Sequence, residues 1–170
     1  MKKNILVFLL ISITLVSLSQ NINKQIFDID YKDSLLVGLC NITAFEYESY
    51  LDWYVPEFEE YNPNDSILSI LKSKSDNISI IVVFALWCSD SRREVPRFLK
   101  IIDALDFEES RLKLIAVDTK KQALDIDISA YEIKLVPTFI FYQNNKELGR
   151  IIESPETSLE EDFLKILQNY

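Results

Sequence analysis

The stretch from Trp87 to Arg92, Trp-Cys-Ser-Asp-Ser-Arg, contains the side chain best suited to covalent chemistry. An apolar run from Ile78 to Leu86 precedes it, and a segment with helical apolar spacing follows it. The pattern predicts a buried strand that ends just before Cys88, which then lies in the first turn of a helix. Free N–H groups and the helix dipole stabilise a thiolate at such a position. Cys88 is therefore the candidate nucleophile, and an inert core cysteine is the alternative.

The residues around Cys88 are expected to support the site. Trp87 should pack beside the sulfur. Ser91 could donate a hydrogen bond to the thiolate, whereas the negative charge of Asp90 disfavours it. Arg92 offsets that charge and, with Arg93, either steers acidic partners or is a solvated charge on the helix. The expected supporting residues are Trp87, Ser89, Asp90, Ser91 and Arg92.

The elements after residue 78 alternate between strands and helices. After the strand and helix around Cys88, we expect a buried strand over Leu112–Val117 and a helix over Gln122–Ile133. Two further strands, Thr138–Tyr142 and Glu147–Ile152, are separated by an Asn-Asn turn signal. A last helix begins at a capping box at Ser158. This order predicts an α/β fold with a mixed sheet.

The segment before residue 78 is richer in aromatic side chains. Residues 20–35 are predicted to be extended. Aromatic residues at helical spacing predict a helix from Thr43 to Tyr61, which Pro56 should kink or divide. Its aromatic face is expected to pack in the core, with a ligand groove as the alternative. A capped helix over Ser66–Lys74 follows, and its expected inward residues are Ile67, Leu68, Ile70 and Leu71.

Composition excludes several classes of function. The chain has 170 residues, a net charge of −9, two cysteines and no histidine. Its length predicts one domain, and its acidity opposes nucleic-acid binding. The lack of histidine removes Ser-His and Cys-His catalytic pairs and the commonest metal ligand. We expect neither a cofactor nor a bound metal.

The N-terminus has the pattern of an export signal. Lys2 and Lys3 precede an apolar region over Ile5–Val16, and small residues precede an expected cleavage after Ser19. A retained membrane anchor is the alternative, and only then would the protein contact a membrane. The expected division is a signal peptide over 1–19, an N-terminal extension over 20–64 and the main domain over 65–170. Export to the periplasm or beyond would place both cysteines in an oxidising compartment.

Several landmarks together resemble the thioredoxin family over about residues 65 to 168. Trp87-Cys88 lies at a strand-to-helix junction, and Pro96 follows eight residues after the cysteine. Val136-Pro137-Thr138 resembles the loop whose proline is cis and faces the active cysteine. The resemblance implies a three-layer α/β/α fold with a mixed central sheet, here with an N-terminal helical extension. It also implies that the Val136 backbone pairs with an extended substrate, whereas a strand-initiating trans Pro137 is the alternative.

Two departures from the family pattern concern the same chemistry. Ser91 stands where reducing members carry a second cysteine, and Val82 stands where many bury an aspartate. The chain is thus similar to exported thioredoxin-like proteins with a single active-site cysteine. The resemblance implies thiol–disulfide exchange in cell redox homeostasis, with protein or small-molecule thiols and disulfides as partners. A redox-inactive protein-binding module is the alternative.

Cys40 has three possible roles. It could resolve a mixed disulfide on Cys88, it could form a stable disulfide with Cys88, or it could be a small buried apolar residue. A hydroxyl such as that of Ser91 is too weak a nucleophile to take the resolving role. Turnover would therefore need Cys40 or an outside thiol.

Overall fold

The computed structural model of the chain describes residues 22–169, and the predicted export signal over residues 1–19 lies outside them. Within the described part, none of the helices has the length and apolar character needed to cross a membrane. The strands are β1 (Gln25–Asp28), β2 (Asp33–Leu36), β3 (Gly38–Cys40), β4 (Ile78–Phe84), β5 (Leu112–Ala116), β6 (Thr138–Gln143) and β7 (Lys146–Ile152). The α-helices are α1 (Glu48–Glu60), α2 (Asp65–Lys74), α3 (Ser89–Ala104) and α4 (Leu159–Gln168).

A five-stranded sheet in the order β3-β5-β4-β6-β7 forms the centre of the molecule. β4 and β5 run parallel, with Val82 opposite Leu114, and the other neighbouring pairs are antiparallel. A parallel pair needs a crossover connection, which α3 supplies. The strands predicted after α3 are confirmed to within about one residue at each end. The predicted mixed α/β sheet is therefore present.

One face of the sheet packs against the helices. The Phe98 ring on α3 lies 4.6 Å from that of Phe139 on β6, and the Phe163 ring on α4 lies 4.4 Å from that of Phe141. All four rings are buried. Burying a side chain of this size stabilises the fold by roughly 1.5–3 kcal/mol. This aromatic cluster holds α3 in place over the sheet, and the start of α3 is where Cys88 lies.

The other face of the sheet is covered by the segment between β5 and β6. The predicted helix over Gln122–Ile133 was wrong, because this segment contains turns and a 3₁₀ helix over Ser129–Tyr131. Ile126 and Ile128 alternate with aspartates, which is a period of two rather than 3.6. The Asp127 side chain accepts a hydrogen bond from the backbone N–H of Ser129, a local turn contact that competes with helix formation.

The N-terminal segment forms more structure than predicted. β1 and β2 pair as an antiparallel hairpin, and β3 is an edge strand of the main sheet. A 3₁₀ helix over Ile42–Glu46 precedes α1, so the α-helix begins later than Thr43. Pro56 lies within α1 and does not divide the helix. A proline has no N–H to donate, so one backbone carbonyl of the helix loses its partner, but Pro56 is exposed and that carbonyl can bind water. Phe45 is buried, stacked on Tyr54, so the aromatic segment packs into the core as expected.

The caps of α2 and α4 follow from their sequences. The Asn64 side chain accepts hydrogen bonds from the N–H groups of Ser66 and Ile67, and Ser158 accepts one from that of Glu161. Such caps stabilise a helix by about 1 kcal/mol. The inward position predicted for Ile70 was wrong, since it is 41% exposed while Leu71 fills the core.

Candidate active site

Cys88 is the residue that leads from β4 into α3. A turn closed by a 3.1 Å hydrogen bond from the Cys88 N–H to the Ala85 carbonyl follows the strand. Cys88 then occupies the N-cap position, but its side chain accepts no capping hydrogen bond. The thiol is half-buried and lies 3.1 Å from the Val136 carbonyl oxygen, to which it donates. The candidate nucleophile is thus at the helix N-terminus, as the sequence predicts.

The loop opposite Cys88 begins β6. The Val136–Pro137 peptide bond is cis, in agreement with the expectation from the resemblance. Thr138 is buried, and its hydroxyl donates a 2.7 Å hydrogen bond to the Leu135 carbonyl. The structure therefore brings the Val136 carbonyl, in the loop that contains the cis Pro137, to Cys88.

Ser91 is buried in the first turn of α3, and its hydroxyl contacts the backbone rather than the Cys88 sulfur. It is 2% exposed, and its hydroxyl oxygen accepts a 3.2 Å hydrogen bond from the Ala85 N–H. This contact ties the first turn of α3 to the end of β4. Val82 is fully buried among apolar side chains. The two positions that depart from the family pattern are thus both part of the packed interior.

The charges of the first turn are partly neutralised within α3. The Asp90 carboxylate forms a 2.8 Å ion pair with Arg93, whose guanidinium also contacts Glu94 at 2.6 Å. The contact with Glu94 raises the pKa of Arg93. Ser89 is exposed beside them. Because Asp90 is paired, it disfavours a thiolate on Cys88 less than an isolated carboxylate would.

Arg92 points toward the N-terminal segment. Its Nε donates a 2.5 Å hydrogen bond to the Leu86 carbonyl, and its Nη2 donates a 2.8 Å hydrogen bond to the Tyr31 hydroxyl. Its guanidinium lies 5.8 Å from the Trp53 ring centre, a cation–π distance. Trp87 packs against the hydrophobic clusters on both faces of the sheet. Its indole N–H is buried with no hydrogen-bond partner among the described residues.

The structure does not bring Cys40 to Cys88. Cys40 is 6% exposed in β3, and its Sγ donates to the Gly38 carbonyl at 3.3 Å. It lies two strands from β4, roughly 10 Å, whereas bridged cysteines have Cα atoms within about 7 Å. The two side chains also pack on opposite faces of the sheet, and both cysteines are free. Burial raises the pKa of Cys40 to about 12.

The β1–β2 hairpin is a part of the site that the sequence did not reveal. Asp28 accepts hydrogen bonds from the Tyr31 N–H and, at 2.8 Å, from the Thr119 hydroxyl in the loop after β5. These bonds, that from Tyr31 above all, lower the pKa of Asp28. Together with the contact between Tyr31 and Arg92, they hold the hairpin at the edge of the sheet where Cys88 lies. The sequence signal that could have revealed the hairpin is the pair of aspartates, Asp28 and Asp33, at the two ends of its turn.

A comparison with known proteins matches residues 62–165 to the thioredoxin family model. This chain belongs to the thioredoxin family. The match contains Cys88, Val136 and Pro137, and it leaves out the β1–β2 hairpin. The thioredoxin-like fold and a general connection to thiol–disulfide chemistry follow from this membership.

Two relatives illustrate how far the chain has diverged within the thioredoxin family. It is 21% identical to thioredoxin H5 of rice over 129 residues, which are 75% of this chain and 91% of the relative. It is 23% identical over 110 residues to a thioredoxin-like protein, R548, of Acanthamoeba polyphaga mimivirus, covering 65% and 77% of the two chains.

Solved thioredoxin structures are also similar to the chain. A thioredoxin-like protein from Edwardsiella tarda has a TM-score of 0.40 at 20% identity, covering 62% of this chain and 94% of that one. Thioredoxin from Fasciola hepatica has a TM-score of 0.40 at 21% identity, covering 57% and 88%. The family assignment rests on the family model and not on these neighbours.

Across the described residues, no group of three or more histidine, cysteine or acidic side chains is arranged to hold a metal ion.

Proposed function

We propose that this thioredoxin-family protein acts in thiol–disulfide exchange through one nucleophilic cysteine, Cys88, in an exported setting. The observation that supports this most directly is the position of the thiol. It lies half-buried at the N-terminus of α3, with its Sγ 3.1 Å from the carbonyl oxygen of Val136. A helix N-terminus favours the thiolate, and partial exposure lets a second sulfur approach.

The first step is an attack of the Cys88 thiolate on one sulfur of a substrate disulfide. A new S–S bond forms between Cys88 and that sulfur, the old S–S bond breaks, and the second substrate sulfur leaves as a thiolate. The proton of the Cys88 thiol passes to solvent, and the departing thiolate takes one from solvent. The N–H groups of the first turn of α3 stabilise the negative charge on Cys88 before the attack.

The second step needs a thiol from outside the chain. Ser91 has no sulfur, and Cys40 is buried on the other face of the sheet. One outside thiol displaces the substrate from the mixed disulfide, and a second one releases Cys88. In the whole cycle, one substrate disulfide is reduced to two thiols and two outside thiols are oxidised to one disulfide.

The exchange is tested by turnover with a protein that has an accessible disulfide and a monothiol reductant. We expect a rate that rises with reductant concentration and that falls at least about 100-fold, to the uncatalysed background, in Cys88→Ser. Cys40→Ser is the matched control and should keep the wild-type rate. Equal turnover by wild type and Cys88→Ser would overturn the proposal.

A protein-binding module without redox activity is the second candidate. Ser91 and Val82 favour it, because the second cysteine and the buried acid of reducing relatives are both replaced by residues that pack in the interior. The same assay separates the two candidates. A binding module would show turnover indistinguishable from the background in wild type and in both variants.

The exported setting rests on the N-terminal sequence. Lys2 and Lys3 followed by the apolar region over Ile5–Val16 support it. N-terminal sequencing of the protein from its native cells should give Gln20 as the first residue. A protein that still begins with Met1 would contradict the cleavage.

A further inference from the structure

A cavity of about 310 Å³ lies between the β1–β2 hairpin, α1 and the start of α3. Its size is that of a site for a small molecule. The lining is polar and aromatic, and it includes both a cation and a carboxylate. Tyr31, Asp33, Trp53 and Arg92 are among the side chains that line it.

Arg92 differs from the other arginines of the described residues. Arg93, Arg97, Arg111 and Arg150 each form an ion pair with a carboxylate, and Arg92 forms none with a described residue. This is unexpected in a chain with a net charge of −9. The Arg92 guanidinium is therefore available to pair with a carboxylate that a ligand brings.

The Arg92 guanidinium is nevertheless held in place. Its hydrogen bonds to the Leu86 carbonyl and the Tyr31 hydroxyl use two of the five N–H groups of a guanidinium. Trp53 stacks against it at 5.8 Å. The other N–H groups have no acceptor among the described residues. A positioned guanidinium with free N–H groups binds a carboxylate with charge-assisted hydrogen bonds.

The cavity lies close to the nucleophile. The Arg92 Nε is 2.5 Å from the Leu86 carbonyl oxygen, and Leu86 is two residues before Cys88. Two residues of extended chain span at most roughly 7 Å, so the Arg92 Nε lies within about 10 Å of the Cys88 backbone. A small amino acid whose carboxylate pairs with Arg92 can span this distance with its thiol and reach Cys88.

We propose that this cavity binds the outside thiol that releases Cys88, and that this thiol is a small α-amino acid or short peptide containing cysteine. Its carboxylate pairs with Arg92, and its ammonium group faces Asp33. Its thiolate attacks the Cys88 sulfur of the mixed disulfide, a new S–S bond to Cys88 forms, and the substrate leaves as a thiolate. A second molecule of the same thiol attacks that bond and frees Cys88. The inference rests on the proposed function.

The test starts from a mixed disulfide between Cys88 and 2-thiopyridine, made with 2,2′-dithiodipyridine in Cys40→Ser protein. Cysteine and cysteamine are then compared by the rate at which each releases pyridine-2-thione, per concentration of thiolate. The two thiols share an ammonium group and differ in the carboxylate. We expect cysteine to react about tenfold or more faster at low concentration and to show saturation. S-methylcysteine, which has no free thiol, should inhibit competitively.

Arg92→Met removes the charge and keeps an unbranched apolar side chain against Trp53. It should remove saturation and bring cysteine down to the rate of cysteamine. Arg97→Met is the matched control, since Arg97 also lies on α3 and stacks on Tyr61 but is paired with Glu57. It should behave as wild type. If Arg92→Met does not fold, inhibition of the wild type by S-methylcysteine decides the question by itself.

The outcomes separate this inference from the proposed function. If 2,2′-dithiodipyridine does not react with Cys88, the proposed function fails. If the mixed disulfide forms but cysteine and cysteamine react equally fast without saturation, only the inference about the cavity is overturned. An equal loss of rate in Arg92→Met and Arg97→Met would also overturn it.

Discussion

Cys88 occupies the N-cap position of α3, whereas Cys40 lies inside the edge strand β3. Cys88 is half-buried and faces the Val136 loop. Cys40 is packed among the apolar side chains of the helical face, where burial raises its pKa to about 12. One residue type thus occurs once half-exposed at the start of a helix and once in the core, where burial suppresses its ionisation.

The difference follows from where each residue stands relative to the strand ends. Cys88 comes after the carboxyl end of β4, where the chain leaves the sheet and a helix begins. Cys40 pairs with Leu114, within the strand register, so its side chain must enter the core of one face. Position in the topology therefore decides which cysteine is accessible from solvent.

The largest expected difference is in the alkylation of the two thiols of the native protein. At neutral pH, a thiol with a pKa of about 12 is ionised in about one molecule in 10⁵. Cys88 should therefore react at least about 10³ times faster than Cys40 with iodoacetamide. Peptide mapping after brief alkylation measures both rates. Comparable labelling of the two residues would contradict the expected difference in reactivity between Cys88 and Cys40.

Ser91→Cys should restore a resolving thiol next to Cys88. The mixed disulfide with a substrate protein should then decay about 10²-fold faster, because the attack on Cys88 becomes intramolecular. Non-reducing gels follow the adduct with time. The double variant Cys88→Ser/Ser91→Cys serves as the control and should form much less adduct. An unchanged adduct lifetime in Ser91→Cys would contradict the geometry proposed for the site.

Cys40 should make the protein less stable as the pH rises. The unfolded chain ionises this thiol above its ordinary pKa of 9.0, while the folded chain keeps it protonated up to about 12. The unfolded state therefore binds fewer protons in this window, and stability falls with pH. Between pH 9 and about pH 11, wild type should lose about 2 kcal/mol more than Cys40→Ala.

Urea unfolding at several pH values measures this effect. The raised pKa values of Tyr50 and Tyr54, both about 12 because of burial, also reduce alkaline stability. The contribution of Tyr54 is the same in both proteins and cancels in the comparison, and that of Tyr50 cancels except for the minor part that comes from the charge of Cys40. If the free energies of unfolding of wild type and Cys40→Ala fall in parallel as the pH rises, burial does not suppress the ionisation of Cys40.

The smallest effect is expected at the contact between the hairpin and α3. Tyr31→Phe removes the hydroxyl that accepts the hydrogen bond from Arg92. Because the contact is exposed, the free energy of unfolding should fall by only about 0.5–1 kcal/mol. Tyr47→Phe is the control, since no described residue contacts that exposed hydroxyl by a hydrogen bond. Equal stability of the two variants would show that the hairpin is not held by this bond.

Most of the main domain could be predicted because its signals are local. The apolar run of β4, the strands β5 to β7 and the cap at Ser158 depend on neighbouring residues. The segment over Gln122–Ile133 was predicted wrongly, because its isoleucines gain their burial from the sheet below and not from a helical face. The pairing of β3 with β5 joins residues far apart in sequence, and no local pattern indicates it.

The candidate site was predictable only in part. The position of Cys88 and the loop at Pro137 follow from the strand-to-helix junction and the family landmarks. The direction of the Arg92 side chain does not, because it depends on Tyr31 and Trp53, which lie on separate elements. The sequence also does not reveal whether the Ser91 hydroxyl faces the Cys88 sulfur or the Ala85 backbone, since both orientations are compatible with the first turn of a helix.

The central claim is that the native protein has one reactive thiol, at Cys88. The most direct measurement is the release of pyridine-2-thione when the folded protein meets a small excess of 2,2′-dithiodipyridine. We expect one equivalent to be released rapidly by wild type and by Cys40→Ser, and no rapid release by Cys88→Ser. Rapid release that persists in Cys88→Ser, or its absence in folded wild type, would contradict the claim.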